Sequence, residues 1–185
     1  MKRIVIGLSG ASGMPIAIRL LEALKNSPEI ETHLVMTKGA VETIRQETDF
    51  TPEQVSALAD VCYQLDDIGA AIASGTFKTM GMIVCPASMK TVAGIASGYS
   101  DNLLLRAVDV NIKERRKVVV VARETPLSHI HLRNLTILSE SGVIILPPMQ
   151  TYYNLPKTID DMINHTVGKI LDCFDIEYDK LKRWE

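Results

Sequence analysis

The chain has 185 residues, with 20 lysines and arginines against 22 aspartates and glutamates and a formal net charge of −2. That balance argues against a nucleic-acid surface, which carries a basic excess or stripe; 46% hydrophobic and 23% charged residues are ordinary for a globular protein of one-domain length. Only 5% of the chain is aromatic, so the core must come from Val, Ile, Leu, Ala and Met, a composition suited to parallel strands buried under helices.

The apolar run Ile4-Val5-Ile6 stops at Gly7, too short for a secretory h-region, and Lys2 to Leu8 is read as a strand. Met14 to Lys25 puts Ile18, Leu21 and Leu24 on one helical face and stops before Asn26-Ser27-Pro28. A second strand is expected at Glu31 to Met36, then a helical stretch ending near Glu47, and Thr51-Pro52-Glu53-Gln54 opens a helix with Thr as N-cap and Pro in the first turn. Next come a strand at Met80 to Pro86, helices at Ser88 to Ala96 and Asp101 to Arg116, and a strand at Lys117 to Ala122. A helix at Ser128 to Ser139, a strand at Gly142 to Leu146 and a helix at Ile159 to Asp175 complete the pattern. Strands alternating with helices predict an α/β fold, a three-layer Rossmann-like or flavodoxin-like parallel sheet with helices on both faces. No linker or repeat divides residues 1–185, so one domain is expected. No stretch approaches the ~20 apolar residues of a membrane span. Cys62, Cys85 and Cys173 are odd in number and form no CxxC pair, which points to a reducing, cytoplasmic setting.

Ligands of open α/β sheets bind beyond the carboxyl ends of the strands, so the segments following each apolar run carry the functional signal. These are Gly7-Leu8-Ser9-Gly10-Ala11-Ser12-Gly13, Thr37-Lys38-Gly39, Cys85-Pro86-Ala87-Ser88-Met89-Lys90-Thr91 and Arg123-Glu124-Thr125-Pro126. The first lacks strict GxGxxG spacing and has no P-loop Gly-Lys-Ser/Thr, and it reads equally as a phosphate cradle or a tight turn. Ser88 to Thr91 offer hydroxyls and a lysine at a helix start, and Arg123 offers a planar fork suited to phosphate. Singly, these are caps and surface ion pairs; together on one edge they favour a phosphorylated cofactor. Cys85 reads as a core residue before it reads as a nucleophile. Glu47 and Glu124 are candidate proton shuttles if the pocket is dry, and otherwise solvated or ion-paired carboxylates. His33, His129, His131 and His165 have no zinc-ligand spacing, so no metal is expected. His129 and His131 read as capping or solvating a helix start.

Taken in order, the first loop, Glu47-Thr48-Asp49, Ser74-Gly75-Thr76-Phe77, Cys85 to Thr91, Arg106-Ala107-Val108-Asp109-Val110, Lys113-Glu114-Arg115-Arg116, Arg123 to Ser128 and Leu146-Pro147-Pro148 closely resemble the UbiX/Pad flavin prenyltransferase family. The resemblance runs from Lys2 to about Asp175. It implies an enzyme that joins a dimethylallyl group from dimethylallyl monophosphate to N5 and then C6 of reduced FMN, making prenylated FMN for a UbiD-type decarboxylase. It assigns FMN to Gly10, Ala11, Ser12, Thr37, Ser88, Met89, Lys90, Thr91 and Arg123. The prenyl phosphate falls to Lys113, Arg123, Tyr153 and Lys169 beside Glu124, with Glu47 close by; Glu47, Glu124 and Lys113 are the catalytic candidates. It also implies a metal-free reaction, in keeping with the lack of a DDxxD pattern at Asp66-Asp67 or Asp160-Asp161. A homo-oligomer is implied too, often a dodecamer built from trimers, with sites shared between subunits and residues 159–185 at an interface. The chain departs from its relatives in having Ala87 for Cys, Thr37 for Ser, Lys169 for Arg, Tyr152-Tyr153-Asn154 for Phe-Tyr-His, and Ile68 where some carry Trp. Two other classes stay open: an FMN-dependent decarboxylase of the cysteine-decarboxylase type, which needs a histidine early in the chain, and a non-catalytic FMN carrier subunit.

Overall fold

The computed structural model describes residues 1–184. Six parallel strands, β1 (Lys2–Leu8), β2 (Ile30–Met36), β3 (Val61–Tyr63), β4 (Gly81–Ala87), β5 (Lys117–Ala122) and β6 (Ile144–Ile145), form one sheet in the order β3-β2-β1-β4-β5-β6. The helices are α1 (Met14–Lys25), α2 (Lys38–Glu47), α3 (Pro52–Ser56), α4 (Met89–Ala96), α5 (Leu103–Lys113), α6 (His129–Glu140) and α7 (Ile159–Asp172). The doubly wound α/β architecture expected from the sequence is the one observed. Its strand order reverses between β1 and β4, and such a switch point opens a crevice at the carboxyl ends of the two strands.

Both faces of the sheet are covered because strand side chains alternate and both sets are apolar. Ile4, Ile6 and Leu8 of β1, Ile83 and Cys85 of β4, and Val119 and Val121 of β5 pack with α1 and α7. Their neighbours Val5, Met82, Val84, Val118 and Val120 pack on the other face with Leu104, Ala107 and Val108 of α5 and Leu138 of α6. The sequence hides the period of 2 because neither face is polar.

The structure corrects several expected elements: β6 is only Ile144–Ile145, α7 ends at Asp172, and two further differences concern β3 and α5. Strand β3 was not anticipated: its three residues sit at the sheet edge with Cys62 exposed, too short to show a period. Helix α5 is shorter at both ends. The Asn102 side chain accepts from the Leu105 amide at 3.1 Å, fixing its start, and Arg115 adopts a left-handed φ of 55° just past its end. The expected caps at Thr51 and Ser88 are present, and at Thr51 the capping is reciprocal, with Gln54 Oε1 accepting from the Thr51 amide at 2.7 Å. His131 caps as expected, its Nδ1 accepting from the Ser128 amide at 3.2 Å. Among the described residues, no helix is long and apolar enough to cross a membrane.

Candidate active site

Three backbone hydrogen bonds lock the loops at the carboxyl edge to the neighbouring strands. The Thr37 amide donates to Leu8 O at 2.9 Å, the Ser9 amide to Pro86 O at 3.1 Å and the Arg123 amide to Ala87 O at 3.1 Å. Ser9, almost fully buried, adds a side-chain tie: its Oγ donates to Pro86 O at 3.1 Å and accepts from the Ser88 amide at 2.8 Å. Sequence reading passed over Ser9. Its signal was a hydroxyl on the last buried position before the Gly/Ser turn.

These ties surround a cavity of about 330 Å³ lined by Gly10, Thr37, Gly39, Ser88, Lys90 and Thr91, among others. Two helices point their amino termini at it. Thr37 caps α2, accepting from the Ala40 amide at 3.1 Å, and Ser88 caps α4, accepting from the Thr91 amide at 3.4 Å. The amides of the first turn before each capped residue have no intrahelical acceptor, so with the hydroxyls and Lys90 they form a donor set for an anion. That chemistry fits the phosphate of FMN. The Met89 side chain packs in the core and is not among the residues lining the cavity. Size alone does not mark the site. A groove of about 690 Å³ between α1 and the C-terminal tail is larger, but its wall mixes Arg19, Lys25 and Lys180 with Glu22, Glu177 and Asp179.

The pocket depends on Gly10. A β-carbon there would lie 2.9 Å from the Gly39 backbone, closer than real contacts allow, so the β1 and β2 loops cross only because Gly10 lacks one. Gly10→Ala is expected to weaken FMN binding at least tenfold with the far-ultraviolet circular dichroism unchanged; isothermal titration with FMN checks it.

Glu47 stands elsewhere than a free proton shuttle would. Gly13, at the N-cap of α1, has no side chain to cap the helix; Glu47 Oε2 accepts from the Gly13 and Met14 amides at 2.9 and 3.0 Å. The Gly13 and Met14 amides at the amino terminus of α1 are therefore satisfied from within the chain. Burial pushes the Glu47 carboxyl up, but the Ser12 hydroxyl, the two amides and the nearby Arg123 outweigh it and hold the group below the usual carboxylate range. A lowered carboxyl contributes stability above its unfolded value and loses it as pH falls through the folded one. Glu47→Gln is thus expected to cost about 1 kcal/mol near neutral pH, the worth of a helix cap. Urea titrations should show the gap between the two proteins closing in acid, once the wild-type carboxylate is protonated.

The remaining candidates are not all brought together. Arg123 and Glu124 follow β5 at the carboxyl edge of the sheet; both are exposed, and Glu124 Oε1 accepts from the Thr125 amide at 3.0 Å. The dry setting required of a Glu124 shuttle is absent from the single chain. Lys113 lies at the far end of α5, roughly 15 Å down the helix axis from Leu103, and pairs with Glu114. Lys169 lies on α7 one turn before Cys173, whose carbonyl accepts from Lys117 at the amino end of β5. Tyr153 packs edge-on against His165 of α7, with ring centroids 5.9 Å apart. Trp184, absent from the sequence candidates, meets the Tyr153 ring edge-on at 5.4 Å. In one chain the candidates therefore form three groups, joined by no hydrogen bond or ion pair among the described residues.

The other sequence candidates are structural. Cys85 is fully buried, and burial pushes its thiol up to about 12, so it is a core residue and not a nucleophile. His33 is buried in β2 with Nδ1 2.9 Å from the Tyr63 hydroxyl, away from the carboxyl edge. No group of three or more His, Cys, Asp or Glu residues able to hold a metal occurs among the described residues.

The flavoprotein family model matches residues 1–176. The flavin prenyltransferase LpdB of Lactiplantibacillus plantarum is 55% identical over 185 residues, covering 100% of this chain and 99% of its own length. A dodecameric FMN-dependent UbiX-like decarboxylase from Escherichia coli O157:H7 superposes with a TM-score of 0.98 at 49% identity, covering 99% of both chains. AnUbiX (PadA1), solved with FMN and dimethylallyl pyrophosphate, superposes with a TM-score of 0.97 at 47% identity, covering 100% of this chain and 97% of its own. The FMN-dependent cysteine decarboxylase SpaF, at 19% identity and a TM-score of 0.64, shares the fold alone. The cradle at the switch point and the full-length likeness together place the chain in the flavoprotein family, among the UbiX-type flavin prenyltransferases.

Proposed function

We propose that the chain transfers a dimethylallyl group from dimethylallyl monophosphate to N5 and then C6 of reduced FMN, as one flavoprotein domain working in the cytoplasm. The prenylated FMN so made would pass to a UbiD-type decarboxylase. The observation that carries the reading is the donor set at the β1/β4 switch point, beside the loop after β5 that carries Arg123, whose charge reaches Glu47. Gly10, Thr37 and Ser88 to Thr91 would hold the flavin phosphate, with Ala11 and Ser12 on the adjoining turn. Reduced FMN supplies the nucleophile when bound.

The chain's own residues answer the charge that develops. As an allylic carbon–oxygen bond breaks, negative charge gathers on the phosphate, and fixed cations stabilise it more than they stabilise the intact ester. Arg123, Lys113 and Lys169 are those cations, and the Tyr153 hydroxyl adds a donor. Glu47, held anionic by its amides, fixes the loop that carries Ser12. Glu124, once covered, would accept the proton that C6 of the flavin loses when its bond to the allyl fragment forms.

Lys113, Tyr153 and Lys169 reach this site from neighbouring copies. What supports this is their place: each lies away from the pocket of its own chain, and the relative from Escherichia coli O157:H7 is dodecameric. A symmetric assembly brings distant surfaces of one sequence onto one another, and residues 159–184 would then lie at the interface. Lys113 would exchange Glu114 for phosphate, a small cost for an exposed pair. The test is anaerobic incubation with reduced FMN and dimethylallyl monophosphate, followed by mass spectrometry of the released flavin. One added dimethylallyl unit supports the reading; unmodified FMN, tightly bound, sinks it.

A further inference from the structure

The C-terminal tail is fastened to α7 at three points. The Tyr178 hydroxyl donates to Asn164 Oδ1 at 2.7 Å. Leu181 lies over Gly168, so closely that a β-carbon at 168 would come within 2.6 Å of Leu181 Cβ. Arg183 donates from both terminal nitrogens to Asp172, at 3.0 and 2.8 Å.

The third contact bears on Lys169. Residues 169 and 172 are three apart on one helix and share a face, the spacing at which opposite charges pair. Asp172 senses the Lys169 charge, yet Lys169 makes no ion pair among the described residues. The reason is that the guanidinium fork already spans both Asp172 oxygens, a geometry an ammonium cannot match. A lysine paired with a carboxylate has to give up that partner before it can bind a phosphate; an unpaired one does not.

We propose that Arg183 is a positioning residue: by holding Asp172 it keeps the Lys169 ammonium available to the prenyl phosphate. This rests on the reading above that Lys169 is a ligand of that phosphate. The same arginine also helps fasten the tail that carries Trp184 to Tyr153, so the test must separate charge competition from anchoring.

The experiment is steady-state kinetics with dimethylallyl monophosphate varied at saturating reduced FMN. It compares the full-length wild type with K169A, R183Q, R183K, D172N and the double variant R183Q/D172N. R183Q is expected to raise KM roughly threefold to fivefold, the worth of one exposed ion pair, with kcat changed less than twofold. D172N unfastens the tail but leaves Lys169 no carboxylate to pair with, so its KM should stay within twofold of wild type. The double variant should fall back to the same value, and R183K, whose ammonium keeps the charge but not the fork, should fall between wild type and R183Q. An equal rise in R183Q, D172N and the double variant would show that only anchoring matters and overturn the proposal, as would an unchanged KM in R183Q. K169A distinguishes the levels: a KM unmoved there removes Lys169 from the phosphate site and the proposal with it. A raised KM in K169A with R183Q unchanged removes the proposal alone.

Discussion

Replacing Arg123 with leucine is expected to lower kcat for flavin prenylation by about 10²–10³-fold, the usual effect of removing one preorganised donor from a developing anion. Arg123 is placed for this by its backbone, whose amide is fixed to Ala87 O at 3.1 Å at the end of β5. Its side chain also lies near enough to Glu47 to help keep that carboxylate charged. Two consequences separate it from a residue that merely fills space. Arg123→Lys should recover only part of the rate, because a point charge replaces a planar fork. FMN binding by Arg123→Leu should weaken far less than turnover, since the amides and hydroxyls of the α2 and α4 caps remain. Single-turnover kinetics on FMN-loaded protein read both, and a rate within threefold of wild type would remove Arg123 from the leaving-group site.

Gly81→Ala should destabilise the fold by about 3 kcal/mol or more, through overpacking added to backbone strain. Gly81 opens β4 with φ at +145°, a region that residues with a β-carbon rarely adopt. The added carbon would overlap the Lys117 carbonyl oxygen and approach Phe174 Cε1 to 2.8 Å. Neither wall can yield cheaply, because Lys117 pairs with Gly81 at the head of β5 and Phe174 is nearly buried in the core. For a chain of this length the loss corresponds to a fall in Tm of roughly 6–12 °C. Gly98→Ala is the control: its φ is +68°, but a β-carbon there meets nothing within 4 Å, so only the backbone cost applies. Calorimetry should find Gly81→Ala clearly the worse of the two, and equal losses would show that the β4–β5 contact gives way freely.

Much of this was legible in the residues themselves. Val118 to Val121 and Ile4 to Ile6 announce buried strands, and the hydroxyls of Thr51 and Ser88 announce helix starts. The rule that ligands gather at the carboxyl ends of parallel strands then pointed to the Gly10, Thr37, Ser88 and Arg123 loops. What escaped was long-range. Glu47 caps a helix that starts 33 residues earlier in the chain, and no local pattern marks a carboxylate that reaches back to Gly13 and Met14. The separation of Lys113 from the pocket was readable in principle. A helix that crosses back to feed a parallel strand must end at the amino edge, so the last residue of α5 cannot share the pocket of its own chain. Lys169 and Tyr153 were harder, because the segment between Ile145 and Ile159 has no regular structure from which a direction could be inferred.

The most direct test of a site completed by other copies mixes two dead enzymes. Lys113→Ala and Arg123→Leu, each inactive alone, are co-expressed and assayed for prenylated FMN. If the two residues serve one site from different copies, random assembly restores about a quarter of wild-type activity, since each residue is intact in half of the positions. If both act within one chain, the mixture stays as inactive as its components, and the account of a shared site is wrong.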